Sequence, residues 1–193
     1  MHRSQERNMH DLLGLWLPIL AAAVAVFVAS SLIHMVFKWH NTEYRQLSNE
    51  DDVMSAVGAG KPTPGQYVMP HCNDMKRMQE DAMQAKYRAG PVGFITIVKS
   101  GPPAMGASLL RWFVFNLVVA TVAAAVARQA LGANANSHEA AHLIGILSFL
   151  TYAGGSIQNG IWMGKTWGSV AKDQLDALIY GTVSALTFMA LWP

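Results

Sequence analysis

The sequence predicts an all-α membrane protein with four transmembrane helices and a small α/β extramembrane insert between the first and second. Three observations carry that prediction. Apolar residues make up 52% of the chain and charged ones only 13%, against about a quarter charged in a soluble domain. Four stretches are long and apolar enough for a ~30 Å hydrocarbon core, which needs roughly 20 helical residues. The tract between the first two has a different, polar character. The expected organisation is an N-terminal segment with the first helix over 1–38, the insert over 39–106, and the remaining three helices over 107–193.

The first stretch, 12–37, carries no charge between Asp11 and Lys38. It is too long for the apolar region of a signal peptide, and no small-residue cleavage pattern follows it, so it is expected to stay as an anchor. The second, 107–131, holds Arg111 and Arg128, whose stems are long enough to carry their charges to the two interfaces. The third, 143–163, holds Ser148, Thr151, Gly154, Gly155, Ser156, Gln158 and Asn159; such residues belong in helix contacts rather than against lipid. The fourth, 175–192, begins at Asp173 and Asp176 and ends at Trp192, a residue favoured at membrane interfaces.

Four crossings place the N-terminus and the 132–142 loop on one side, and the insert and the 164–174 loop on the other. Lys38, Arg45, Lys99, Arg111, Lys165 and Lys172 lie near helix ends on the second side, against Arg3, Arg7 and Arg128 on the first. The positive-inside rule therefore favours a cytoplasmic insert. The expected location is an inner membrane of bacterial type. A net charge of +2 with scattered basic residues excludes nucleic acid as a partner, and a lone cysteine, Cys72, excludes an internal disulfide.

Within the insert, Ser48 to Asp52 provide a cap and acids for a helix through Val57. A strand over 66–69, a helix over 74–88 capped by Asn73, and a strand over 94–98 follow. They fit a minimal β-α-β unit, with an antiparallel pair as the alternative. Two strands bury little, so the insert is expected to lean on the membrane helices, a second copy or a partner.

The sharpest local pattern is His138-Glu139-Ala140-Ala141-His142. It resembles the His-Glu-x-x-His signature of zinc metallopeptidases, which implies His138 and His142 as zinc ligands and Glu139 as the base acting on bound water. Leu175-Asp176 is similar to the Leu-Asp-Gly element that supplies the third ligand in intramembrane zinc proteases. A full membrane crossing separates Asp176 from His142, however, leaving His10 and Asp11 at the entrance of the first helix to complete a shell. The competing reading is structural: Asn136 caps the third helix and Glu139 closes a capping box. His71, Cys72, Met75 and Met78 would suit Cu(I), but Met75, Met78 and Met83 also recur at helical spacing as a packing stripe. Zinc or copper at these places are the cofactors the sequence suggests.

Asn116, Gln158 and Asn159 are intramembrane polar residues that must find partners, either as glue between helices or as the lining of a cavity together with Ser30, Ser31 and His34. Haem-attachment, phosphate-loop and nucleophile-elbow motifs are absent from the sequence. The reading that accounts for the most residues is a non-enzymatic membrane subunit or scaffold. Its expected partners are the lipid bilayer and either a second copy or another membrane protein. A metal-binding protein or zinc-dependent hydrolase using His138, Glu139 and His142, and a small-molecule binder or transporter lined by Gln158 and Asn159, are the alternatives.

Overall fold

A computed structural model describes residues 14–132 and 134–193. The chain divides into two compact units: Met1–Glu43, Ala104–Gly160 and Lys165–Pro193 form the first, and Tyr44–Pro103 with Ile161–Gly164 the second.

The first unit is helical. Helix α1 spans Trp16–Ser31 and runs on as a π-helical turn over Leu32–Phe37, followed by a 3-10 turn over Trp39–Glu43. Helices α5 (Met105–Leu131), α6 (Ser137–Trp162) and α7 (Trp167–Leu191) complete it; α2 to α4 belong to the second unit. The four long helices, α1 with its extension, α5, α6 and α7, are each long and apolar enough to cross a membrane. Pro18 falls in the first turn of α1, where a missing N–H leaves no hydrogen bond unmade.

The side chains are distributed as in lipid, not as in water. One buried cluster is built from Ala22, Ala120, Ala123, Ala124, Ala127 and Ala140, with Leu15, Ile144 and Phe188. Leu17, Val24, Val28, Val118, Val122, Ile146, Leu150, Leu178 and Leu186 face outward, each roughly half exposed. Small residues inside let helix backbones approach, and a girdle of large apolar residues outside far exceeds the patches that monomeric soluble proteins expose. The closest approach joins α6 and α7. A Cβ placed on Gly181 would lie 2.9 Å from the carbonyl oxygen of Gly145, and one on Gly145 would lie 2.9 Å from the Ala185 Cβ.

One helix start follows the capping reading and one differs from the sequence expectation. Helix α6 begins at Ser137, so the His138–His142 segment forms its first turns, and the Asn136 Oδ1 accepts the Glu139 N–H at 2.9 Å as a helix cap. Asn136→Ala is expected to cost about 1 kcal/mol in a thermal or denaturant melt; an unchanged melt would remove the cap from the account. Helix α7 begins at Trp167, eight residues before the apolar run. Thr166 caps it, its Oγ1 accepting the Ser169 N–H at 3.3 Å. Lys172, Asp173 and Asp176 therefore project from within a long helix rather than preceding one.

The expectation that the polar residues of the third span all lie in helix contacts needs correction. Ser148 and Ser156 are buried, whereas Thr151, Gly154, Gly155, Gln158 and Asn159 are exposed. By the 3.6-residue period Gly155 and Asn159 fall on the same face as Ser148 and Ser156, but they border a cavity there, as does Thr151; Gly154 and Gln158 lie on the flank.

The second unit holds α2 (Glu50–Ala59), β1 (Gly65–Met69), α3 (Met75–Met78), α4 (Asp81–Ala89) and β2 (Gly93–Ile97). The strands pair antiparallel, with Gly65 opposite Ile97 and Met69 opposite Gly93, so the β-α-β reading gives way to the alternative. A parallel crossover needs a helix that covers the sheet, about a dozen residues with its connections, and the expected single helix is broken into pieces of 4 and 9 residues. Asp74, not Asn73, caps the first piece by accepting the Lys76 N–H at 2.8 Å. The Met78 carbonyl at the break accepts the Gln84 side-chain amide at 2.7 Å. No residue from 44 to 103 is buried, so this unit lacks a core of its own.

Candidate functional site

The polar centre of the first unit is assembled from the end of α1, the 3-10 turn and the first three turns of α7. On a regular α-helix, residues 34 and 40 would point about 120° apart. The π turn widens the helix, with the Lys38 N–H reaching the Ile33 carbonyl at 3.0 Å. Lys38 then takes a left-handed conformation at φ 54°, which costs an L-residue roughly 1–2 kcal/mol. The result sets the His34 and His40 rings 4.7 Å apart. Lys172 holds the turn in place by donating to the Trp39 carbonyl at 2.7 Å and to the Thr42 hydroxyl at 2.8 Å.

His40 lies between two carboxylates: its Nδ1 is 2.6 Å from Glu43 Oε1 and its Nε2 is 2.9 Å from Asp176 Oδ2. His34 Nε2 approaches the same Asp176 oxygen at 3.6 Å and the Tyr180 hydroxyl at 3.5 Å. The ligand-type atoms of His34, His40 and Asp176 all lie within 4.8 Å of one another, as do those of His40, Glu43 and Asp173. Among the described residues these are the two such groupings.

Charge is unevenly satisfied. Asp173 is paired with Lys165 and accepts from the Ser156 hydroxyl, and Glu43 has Lys172 at 3.8 Å. Asp176 has no lysine in salt-bridge range among the described residues. It is 5% exposed, and its Oδ1 has no hydrogen-bond partner. A buried carboxylate oxygen without a donor carries a desolvation cost that a cation would offset.

Asp176 and His34 form part of the wall of a cavity of about 330 Å³, together with Trp112, Phe115, Tyr152, Tyr180, Asp173 and Asn159. Three of its aromatic rings, one each from α5, α6 and α7, lie edge to face or tilted at centroid distances of 5.3 to 6.1 Å. Two of them are fixed from behind. The Trp112 Nε1–H donates to Ser30 Oγ at 2.8 Å, and the Tyr152 hydroxyl donates to Asn116 Oδ1 at 3.0 Å.

The residues singled out in the sequence are distributed differently. Asn116 is buried and braces Tyr152, Asn159 is on the cavity wall, and Gln158 is exposed away from it. His138, Glu139 and His142 are exposed on the first turns of α6. His138 and His142 border a separate groove of about 480 Å³ whose neighbours are apolar, among them Ile146, Leu178, Leu186 and Met189. Asp176 lies thirteen residues back along α7 from Met189, about 20 Å at 1.5 Å per residue. Its partners are His34 and His40, not His138 and His142. His10 and Asp11 fall outside the described residues. In the second unit, Cys72 donates to the Asp74 carbonyl at 3.3 Å, and His71 and Met75 are exposed.

His40, Glu43 and Asp173 are the members of the centre that sequence reasoning missed. The available signal was His40-x-x-Glu43, one helical turn apart directly after an apolar span, facing a second polar triplet at Lys172, Asp173 and Asp176. No family model, curated protein or solved structure matches this chain. Function is therefore argued from the centre itself.

Proposed function

We propose that this chain is an integral membrane protein that crosses the bilayer four times and binds a small cation in the cavity beside Asp176. The crossing is supported by four apolar helices with small residues inside and large ones outside. The cation reading rests on one observation: a nearly fully buried carboxylate with an unpaired oxygen borders a cavity walled by Trp112, Phe115, Tyr152 and Tyr180. A low-dielectric pocket of this kind favours a positive charge through the carboxylate and the faces of the rings.

Of the polar lining expected from the sequence, Asn159 and His34 are retained, and Asp176 takes the place of Gln158. Asp176 is not available to a peptidase site at His138 and His142, because it lies against His34 and His40. For the insert we retain docking on a partner or a second copy, supported by its lack of buried residues. The cytoplasmic placement of the insert is part of the proposal and is supported by the distribution of Lys and Arg near the helix ends; a bacterial inner membrane is proposed as its location.

The test is thermal stabilisation of the detergent-purified protein by a panel of cations, tetraethylammonium and divalent metals included. A ligand at 100 times its Kd stabilises the native state by about 2.7 kcal/mol. Asp176→Asn should abolish the stabilisation while the protein remains folded. If every cation stabilises this variant as it does the unchanged protein, or none stabilises either, the reading is wrong.

A further inference from the structure

We infer that His34, His40 and Asp176 form a site for one divalent transition-metal ion of the zinc, cobalt(II) or iron(II) kind. The inference rests on the cation-binding reading and names the cation. Four-coordinate zinc with bonds near 2.1 Å separates its ligand atoms by roughly 3.4 Å. His34 Nε2 and Asp176 Oδ2 are 3.6 Å apart and fit as they stand. His40 Nε2 and Asp176 Oδ2 are 2.9 Å apart and need to open by about half an ångström.

The surroundings match what a metal-bound histidine needs. A ligating imidazole almost always passes its other N–H to a carboxylate, which fixes the tautomer and aims the free lone pair. Glu43 Oε1, 2.6 Å from His40 Nδ1, is placed to do this, and Lys172 in turn anchors the turn that carries both residues. With Nδ1–H given to Glu43, the His40 Nε2 lone pair faces the Asp176 carboxylate. Two acceptors face each other there unless a proton or a cation lies between them. The unpaired Oδ1 of Asp176, on a side chain more than nine-tenths buried, is an independent sign of a missing electropositive partner.

The donor set selects the ion. Two imidazoles and one carboxylate suit zinc, iron(II) and their neighbours; all-oxygen sets suit magnesium and calcium, and thiolate or thioether sets suit Cu(I). An organic ammonium would use the carboxylate and the rings but gain nothing from two imidazole nitrogens. Three protein ligands leave a position open, and both His34 and Asp176 border the cavity, so water or a small ligand has access to it.

The experiment is a cobalt(II) titration of the full chain purified in detergent, followed by visible absorption and then by displacement with zinc. One equivalent is expected, with a ligand-field spectrum of low coordination number. His34→Gln is the first variant, because the His34 side chain is about half exposed and its loss leaves the packing intact. It should weaken binding at least about tenfold, and Glu43→Gln, which removes only the orienting carboxylate, by about 10- to 100-fold. His40→Gln should act like His34→Gln, and His138→Ala should leave binding unchanged.

Absence of a saturable cobalt spectrum overturns the inference, as does binding by His34→Gln and His40→Gln as tight as that of the unchanged protein, or loss of the spectrum in His138→Ala. Asp176-dependent binding of tetraethylammonium with no metal binding would sink the metal site and leave the cation-binding reading standing. Failure of both ligands to depend on Asp176 would sink both.

Discussion

Gly181→Val is expected to destabilise the bundle by about 3 kcal/mol, the upper part of the range for overpacking a close-packed interior. The added side chain has no room. Even its Cβ would lie 2.9 Å from the Gly145 carbonyl oxygen, 3.1 Å from the Phe149 Cβ and 3.2 Å from the Phe149 backbone nitrogen. Two of those three atoms belong to the backbone of α6, so relief requires moving a helix rather than a rotamer. Gly154→Ala is the control. Nothing lies within 4 Å of a Cβ at that position, and in a helix interior alanine is favoured over glycine by about 1 kcal/mol. The two variants should therefore move a detergent melt in opposite directions. Equal shifts would mean that α6 and α7 do not cross at Gly145 and Gly181.

Asp176→Ala is the second large effect. It leaves the His40 ring, whose side chain is 13% exposed, with one carboxylate instead of two, and it removes one of the contacts that join the 3-10 turn to α7, beside those of Lys172. Losing a buried hydrogen bond to a charged group costs about 2–3 kcal/mol. Asp176→Asn keeps the volume and an acceptor oxygen, so it should cost about 1 kcal/mol or less while still losing the charge that the cavity presents. A melt of the alanine variant indistinguishable from that of the unchanged protein would mean that this contact does not hold the turn.

These two predictions rest on different layers of information. The four apolar helices were legible in the sequence because length and absence of charge suffice to specify them: in hydrocarbon, a backbone with unpaired groups is too costly for any other open structure. The cap at Asn136 was legible because it is local. The start of α7 was not. Lys172, Asp173 and Asp176 mark a boundary when hydropathy is counted along the chain, but here their charges are met by Lys165, Ser156, the Trp39 carbonyl and His40, so the helix continues through them.

The candidate centre was legible only in fragments. His34 and Asp176 were each noticed, the first as an interior hydrogen-bonding residue and the second as similar to a protease ligand, and nothing in a linear reading joins residues 142 positions apart. The motif that does stand out locally, His138-Glu139-x-x-His142, is instead part of a capped helix start bordering an apolar groove.

The sequence by itself determined that four segments are apolar helices, that the tract between the first two is polar and poor in core, and that Asn136 caps the third long helix. All of these depend on neighbours a few positions away. Only the tertiary structure decided that the insert strands run antiparallel, which small residues of α6 face inward, and that a π turn with a left-handed Lys38 brings two imidazoles to one buried carboxylate. Those outcomes depend on the register between helices and on a local break in helical geometry, and neither is encoded in the periodicity of a single segment.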